Sequence, residues 1–485
     1  MKPLSIGLCL LFLTTAAKLK AQEETTWTPS KQYSQSQLIA DLELLKTVLT
    51  EAHPSIYRYQ PKATADSSFK KALAKVNGPM TVAEFWKVIQ PIIVGIHSAH
   101  TDIYPSADEA AWYNKHPADF MPPLFYVDGN KIFMVTHKRD TIAKIVRLVK
   151  SINGISAEFV LDTLKSYIVG EGLGTQFVNF QLQAGRFSRI YGQVYGYKPE
   201  YKVIVTDSSG EDKELKLKAR ATKYGNSADK FKQMLQSKKN ELNEVVAVNY
   251  PSDLPSTAVL KIKSFTYFNY YQNFHENFFK RIKSDKITNL VIDIRGNPGG
   301  FSDIGLDLLK YLITKSMCIQ MEKMQIPLNK VTFNANVLAA SSDKIPVLYR
   351  YRDTSGNYDE IRFNKVFCAP FYNFKKNLYL LTDRATFSAA AMFAAALKSQ
   401  RQVTIVGEET GGGEAGTDGG WFSIVKLPNT GLLLRLPRYH ITNVAPHPNA
   451  VHGLAPDFTI NTPLDADTDV VMKKVKDLIL GAGTN

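Results

Sequence analysis

Leu290-Val291-Ile292-Asp293-Ile294-Arg295-Gly296-Asn297-Pro298-Gly299-Gly300 decides the fold class of this chain. The run from Asn289 to Ile294 is almost wholly apolar, as a strand covered on both faces must be. It empties into a glycine-rich loop, and Ser302 then opens a helix. The alternation continues downstream with a strand from Leu378 to Leu381, a helix from Ser388 and a strand from Val403 to Val406. Upstream, Ala258 to Ile262 reads as a strand. Phe268, Tyr271, Phe274, Phe278 and Ile282 follow at three- and four-residue spacing, which predicts a helix with an aromatic face turned to the core. Strands alternating with helices predict an α/β domain whose parallel sheet is covered on both faces.

The segments before this domain have different textures. From Ser34 to Leu49 the apolar residues Leu38, Ile39, Leu42, Leu44, Leu45 and Val48 recur near helical spacing, and Thr81 with Glu84 three residues on reads as the cap of a second helix reaching about Val94. An N-terminal helical region over 22–115 is the expectation. Residues 120–222 instead hold short apolar runs, such as Ile132 to Val135 and Tyr201 to Val205, separated by turn residues. Asn153-Gly154 marks a tight turn with positive φ at both central positions, and Ser156 then caps a helix that Ile155 and Val160 staple. Strands around such a helix predict a small α+β module. Lys223 to Glu244 is charged and reads as a helical connector, placed in 223–250, at the head of the α/β domain over 223–485.

Composition narrows the class. The chain has 485 residues, 44% of them hydrophobic and 21% charged, which suits a folded protein of roughly three domains at about 150 residues each. Met1 and Lys2 precede an apolar run from Leu4 to Ala17 that is too short to span a bilayer, and the small Ala21 lies just before Gln22. That pattern predicts a secretory signal over 1–21 and a periplasmic or secreted mature protein. Cys9 falls inside the signal, so Cys318 and Cys368 remain, too few for a disulfide framework and without the paired spacing of a zinc site. The net charge of +14 is spread among acidic residues, as in Glu211 to Lys218, and no nucleic-acid motif accompanies it. It fits a solvated basic surface suited to an anionic cell envelope. No metal or other cofactor is expected.

Three segments carry residue types suited to chemistry. The Gly299-Gly300 pair leaves backbone N–H groups uncovered just before a helix, where they serve either an oxyanion or only a turn that needs positive φ. The missing Gly-Lys-Ser/Thr ending disfavours a phosphate loop. Ser388 opens the alanine-rich helix Ala389-Ala390-Ala391-Met392, placing its hydroxyl at the positive end of a helix dipole, either as a nucleophile or as a helix cap. Gly95-Ile96-His97-Ser98-Ala99-His100-Thr101 supplies imidazoles that take a hydroxyl proton near neutral pH or serve as hydrogen-bonded structural residues. Spacing alone does not bring His100 to Ser388.

Taken together, these segments resemble the C-terminal processing (tail-specific) serine peptidase family, in its histidine-using, tricorn-core-like branch. Ile292 to Gly300 is similar to the family's strand-and-glycine signature, Val406-Gly407-Glu408-Glu409-Thr410-Gly411-Gly412 to its Gly-Glu-x-Thr segment, His100-Thr101 to its Asp-Gly-His-Thr box, and Gly453-Leu454-Ala455-Pro456-Asp457 to its closing Gly-Val-x-Pro-Asp box. The resemblance implies a catalytic domain of the crotonase and Clp-protease type behind a PDZ-like module over 120–222. It implies Ser388 as nucleophile, His100 as base, an oxyanion hole from Gly299, Gly300 and Ala389, and a peptide or unfolded protein as substrate.

Three departures stand against it, one being that the family's usual Ser-x-Ser-Glu after the nucleophile is reduced to Ser388-Ala389-Ala390-Ala391. Gly413 occupies the place of the tail-specific lysine, and Ala450 that of the glutamate which orients the histidine in tricorn-like members. Ser98 is the first alternative for orienting His100, with Glu408, Glu409, Glu414 and Asp418 behind it. The same departures leave open a degenerate relative that binds peptides without cutting them. A crotonase-like acyl-CoA enzyme is the third reading.

Overall fold

The computed structural model describes residues 27–138, 141, 143–222, 242–266, 270–313, 317–325, 331–340, 350–352, 359–367, 370–442 and 449–481. The expected signal over 1–21, Cys9, Cys368 and most of the expected connector, residues 223–241, lie outside them. Where that connector resumes, Leu242–Val245 is a short helix, but Val246–Asn249 is a strand on the edge of the main sheet, a correction to the helical reading of 223–250.

That main sheet has six strands whose spatial order follows the chain: Val246–Asn249, Thr257–Ile262, Asn289–Asp293, Asn377–Thr382, Thr404–Gly407 and Phe458–Thr459. The first pair is antiparallel and all the others are parallel. Alternate residues of Asn289–Asp293 explain why every one of them is buried. Leu290 and Ile292 pack with the helices Tyr271–Ser284, Ser302–Lys310 and Ala389–Gln400, while Val291 joins Val471 and Val475 of the C-terminal helix Val470–Gly481. Helices therefore cover both faces, and the strand ends carrying Gly299-Gly300 and Ser388 emerge on the same side.

A second large sheet is wholly antiparallel and was not foreseen from the sequence. Its order is Val337–Ala340, Gly416–Lys426, Leu433–Thr442, Met317–Gln325, Asp359–Phe367 and Arg350–Arg352. Asp102–Tyr104 joins it from the N-terminal region, with Asp102 opposite Arg435 and Tyr104 opposite Leu433. The N-terminal helices Gln35–Ala52, Lys62–Lys75 and Val82–Val94 close over this sheet: Leu38, Leu42, Leu45, Phe85 and Ile89 share one core with Val425, Leu434 and Leu436. Both long helices begin with a reciprocal capping box, Ser34 with Gln37 and Thr81 with Glu84.

Between these parts, residues 118–222 form a unit with its own core. Asp212–Lys218, Glu200–Thr206, Lys144–Ile152, Lys131–His137 and Phe125–Asp128 make an antiparallel sheet in that order. The helices Ala157–Lys165 and Ala184–Tyr195 bring Val160, Leu161, Leu164, Phe187 and Tyr191 onto it. Asn153 and Gly154 have φ of 50° and 80°, and Ser156 accepts a hydrogen bond from the Phe159 N–H at the start of its helix. Ala118–Phe120 pairs with Arg220–Thr222, so the chain enters and leaves this unit side by side. No described helix is long and apolar enough to cross a membrane.

One buried carboxylate fixes the N-terminal helices to the antiparallel sheet. Asp41 is fully buried and accepts from the Asn429 and Thr430 N–H groups at 3.0 and 2.8 Å, from the Asn429 side chain at 2.9 Å and from the Thr430 hydroxyl at 2.6 Å. Hydrogen bonds to a charged group are the strong ones, and removing their common acceptor leaves buried donors orphaned. Asp41→Ala is expected to cost on the order of 3 kcal/mol; an unchanged urea midpoint would show that this joint carries no such weight.

Candidate active site

Two loops from neighbouring strands of the parallel sheet face each other, and Asn297 joins them. Its side chain donates to the Ile262 carbonyl at 3.0 Å and accepts from the Gly299 N–H at 2.8 Å, while its carbonyl accepts from the Phe387 N–H at 3.0 Å. Across the gap, Asp383 accepts from the Gly296 and Ala385 N–H groups, and Thr386 donates to the Ile294 carbonyl. The approach is so close that a Cβ on Gly299 would lie 2.8 Å from the Ala389 nitrogen, and one on Gly300 only 2.4 Å from the Phe265 carbonyl oxygen. Both residues also have positive φ, 99° and 135°, so no other residue type fits either place.

Ser388 sits at the tip of this assembly with φ 52° and ψ −126°. A non-glycine residue held there stores about 1–3 kcal/mol of strain and persists only where the surroundings over-determine it, as the interlocked loops do here. The conformation also answers whether the serine is a helix cap. Its side chain makes no capping hydrogen bond to the helix Ala389–Gln400; the hydroxyl turns the other way. His100 meets it, with Nε2 3.2 Å from the Ser388 Oγ.

The N–H groups around the hydroxyl divide unequally. Among the described residues nothing accepts from the Gly300 or the Ala389 N–H, whereas the Gly299 N–H is already given to the Asn297 side chain. The expectation of three free donors is thereby corrected: the N–H groups of Gly300 and Ala389 are available, and Gly299 supplies the close approach.

His100 reaches Ser388 through the antiparallel sheet. The strand Asp102–Tyr104 that follows it pairs with Leu433–Thr442, and Arg435 of that strand donates to the His100 and Ala99 carbonyls at 2.7 and 3.1 Å. The imidazole lies between the rings of Phe387 and Phe422, with centroids 4.7 and 5.9 Å away. On its far side, Nδ1 is 3.3 Å from the Thr417 hydroxyl and 3.9 Å from a carboxylate oxygen of Glu171. The Thr417 hydroxyl donates to the Asp418 carbonyl at 3.1 Å, and the same Glu171 oxygen accepts from the Ala99 N–H at 3.0 Å.

Ser98 does not orient His100, a correction to the sequence reading: its hydroxyl accepts from Thr101 instead, at 3.2 Å. Glu408 pairs with Arg384, Glu409 accepts from the Gly453 N–H, and Glu414 accepts from the Asn449 N–H. Ala450, in the place of the family glutamate, is exposed. At Gly413 a Cβ would lie 2.7 Å from the Gly416 carbonyl oxygen, so this position has no room for a lysine. Glu171 and Thr417 were missed. The available signal was a lone acid in the apolar and glycine-rich Ile168-Val169-Gly170-Glu171-Gly172, where burial of a carboxylate needs a reason.

Asp418 lies one residue beyond Thr417, and its carboxylate accepts from the Ser55 hydroxyl at 2.5 Å and from His440 Nδ1 at 2.8 Å. His53 completes the layer: its Nδ1 accepts from the Ser55 N–H, so Nε2 carries the proton and donates to Thr101 at 2.7 Å.

The charges follow from this burial. Burial, then the positive charge of Arg435, pushes His100 down to about 3. Burial, then the charge of Asp418, pushes Glu171 up to about 8. Burial also raises Asp418, but the hydrogen bond from His440, the nearby imidazoles of His53 and His440 and the Ser55 hydroxyl outweigh it and hold Asp418 below the usual carboxylate range. At neutral pH the imidazole is therefore neutral, with one nitrogen beside the serine hydroxyl and the other beside an acid, an arrangement able to take the proton of an attacking hydroxyl. Among the described residues no group of three or more His, Cys, Asp or Glu side chains is placed to hold a metal ion.

Residues 256–460 match the model of Peptidase family S41. A crystal structure of mature CPAF is similar over 93% of this chain and 99% of its own, at 16% identity and a TM-score of 0.60. Mature CPAF complexed with lactacystin is similar over 92% and 98%, at 15% identity and a TM-score of 0.59. A photosystem II D1 C-terminal processing protease is similar over 90% and 95%, at 15% identity and a TM-score of 0.42. At these identities the two CPAF structures share the fold of this chain. No curated protein matches it.

His53 and His100 make acid stability a test of this geometry. Burial, the largest cause, takes His53 down to about 4. A histidine whose folded pKa is depressed contributes stability in full above its unfolded value near 6.5, and loses it as pH falls toward the folded value. Unfolding free energy is expected to fall between pH 6.5 and 4 by about 1.4 kcal/mol per pH unit for each such histidine. Denaturation of wild type and His53→Gln at pH 7 and pH 4.5 checks it: a variant with the wild-type slope would contradict a neutral, buried His53.

Proposed function

With residues 256–460 belonging to peptidase family S41 and the chain a serine-type peptidase, we propose that it is an exported enzyme that hydrolyses peptide bonds of envelope or extracellular proteins through Ser388. His100 takes the hydroxyl proton, Ser388 attacks the peptide carbonyl, and the N–H groups of Gly300 and Ala389 receive the negative charge that forms on the carbonyl oxygen. His100 then returns its proton to the leaving amine, and water releases the acyl-enzyme by the same route. Thr417 and Glu171 hold the imidazole with its Nε2 turned to the serine.

The observation that carries this reading is the 3.2 Å approach of His100 Nε2 to a Ser388 hydroxyl that declines to cap its own helix. As His100 becomes an imidazolium it gains a positive charge beside Glu171, which favours the ionised carboxylate and draws the two titrations together. The reading of a binder that does not cut rested on Gly413 and Ala450. A buried acid 3.9 Å from the imidazole removes the second of those grounds. Nothing favours the acyl-CoA reading. We also read the unit at 118–222 as the PDZ-like module, presenting the substrate by strand addition, and the parallel-sheet domain as of the crotonase and Clp-protease type.

A fluorophosphonate probe should label the protein, and labelling should vanish in Ser388→Ala. Loss of the base in His100→Ala is expected to lower kcat by about a thousandfold or more. Glu171→Gln should lower kcat on the order of a hundredfold to ten-thousandfold with little change in KM, because it acts on the imidazole and not on the substrate. An unlabelled wild-type protein, or full activity in Ser388→Ala, would refute the assignment.

A further inference from the structure

An open groove of about 690 Å³ lies on the parallel-sheet domain at the end away from Ser388. Its residues Ile287-Thr288 and Lys375-Lys376 directly precede the strands Asn289–Asp293 and Asn377–Thr382, whereas Gly299-Gly300 and Ser388 follow the opposite ends of the same two strands. Nothing in the peptidase chemistry uses this face.

Phe371 stands at the groove with 80% of its surface exposed. The loop that carries it is firmly held. Phe374 is buried and its N–H donates to the Tyr311 carbonyl at 2.7 Å, the Asn373 side chain donates to the Ile313 carbonyl at 2.9 Å, and Arg401 donates to the Phe374 and Lys376 carbonyls at 2.7 and 2.6 Å. The exposed ring is thus displayed by an ordered segment. A single exposed aromatic is ordinary on a protein surface, but its surroundings here are not. The Lys283 ammonium lies 3.5 Å from the centre of the Phe371 ring and donates to the Phe371 carbonyl at 3.1 Å. Lys286, Lys375 and Lys376, all exposed, line the same groove. Among the described residues no acid lines it, and none lines the adjoining groove that Lys375 and Lys376 share with Arg401. Glu276 and Asp285, the acids on the neighbouring helix and its cap, are paired with Lys280 and Arg281.

This charge calls for an anionic partner, and the ring for one with an apolar layer beneath its charges. A purely apolar partner would strip water from the lysines without pairing them. A bilayer of anionic phospholipid has both features: an aromatic ring enters the boundary between headgroups and acyl chains, while lysines keep their ammonium groups among the phosphates. We propose that this face docks the protein onto an anionic phospholipid bilayer, with Phe371 entering the boundary layer and Lys286, Lys375 and Lys376 on the phosphates. Ser388 then faces away from the bilayer, toward water. The inference deepens the envelope reading above and rests on it for where the bilayer is met; it does not depend on the chemistry at Ser388.

Flotation of residues 22–485, the chain without its expected signal, tests the proposal with vesicles of phosphatidylcholine alone and with about 30% phosphatidylglycerol, at about 0.1 M salt. Binding to the anionic vesicles should be at least about tenfold greater than to the neutral ones. Phe371→Ser, and the double variant Lys375→Gln with Lys376→Gln, should each lower it at least about threefold. All three positions are exposed, so the urea midpoints of the variants should match wild type. Equal binding to the two kinds of vesicle, or equal binding of wild type and both variants to the anionic ones, overturns the proposal. So does binding to poly-L-glutamate without binding to vesicles, which would make the face a dock for an acidic protein. Flotation needs no substrate: its failure leaves the peptidase reading standing, and a protein that floats but resists the fluorophosphonate probe loses only that reading.

Discussion

Asn297 is the joint on which the site depends. Its buried amide has one partner at the end of a neighbouring strand and a second within its own loop, and its backbone carbonyl accepts from Phe387, the residue before Ser388. Such a group cannot give up one bond without leaving another polar atom buried and unpaired. The loop geometry is therefore set collectively, and that collective grip opposes the strain at Ser388. Gly299 and Gly300 complete the joint by contributing nothing: where any other residue would place a Cβ, the neighbouring backbone already stands.

Around that joint the side chains behind Ser388 are buried and their charges are arranged in layers. Nearest the serine is an uncharged imidazole between two aromatic rings; behind it lie Thr417 and Glu171, and behind them Asp418 with His440, Ser55 and His53. Burial acts in opposite directions on the two kinds of group, disfavouring the imidazolium and the Glu171 carboxylate alike. Both are thus held in their neutral forms at rest. Only Asp418 is kept ionised, by hydrogen bonds and neighbouring histidines supplied from two separate segments, 53–55 and the strand that carries His440.

What could be read in the sequence was what local pattern controls. The parallel sheet followed from short apolar runs with helical periods between them, and the Thr81–Glu84 capping box and the Asn153-Gly154 turn from chemistry within three or four residues. The antiparallel sheet escaped because Gly416–Lys426 opens on glycine, threonine and aspartate and only later becomes apolar, so no two-residue alternation marks its start. Glu171 and Thr417 escaped for a different reason: the lone acid at 168–172 signals a buried carboxylate, but the imidazole it meets is decided by a contact between distant segments. Ser98 was the converse error, a residue close to His100 in sequence whose hydroxyl points elsewhere.

His100 and Ser388 are 288 positions apart, and the acid beside the imidazole comes from a third segment that folds around its own core. Contacts of such long range close late, because the intervening chain must first be ordered. A half-made or partly unfolded copy of this polypeptide consequently has a serine without its imidazole. The two side chains come within reach of each other only once the N-terminal helices, the middle unit and the parallel sheet have all docked.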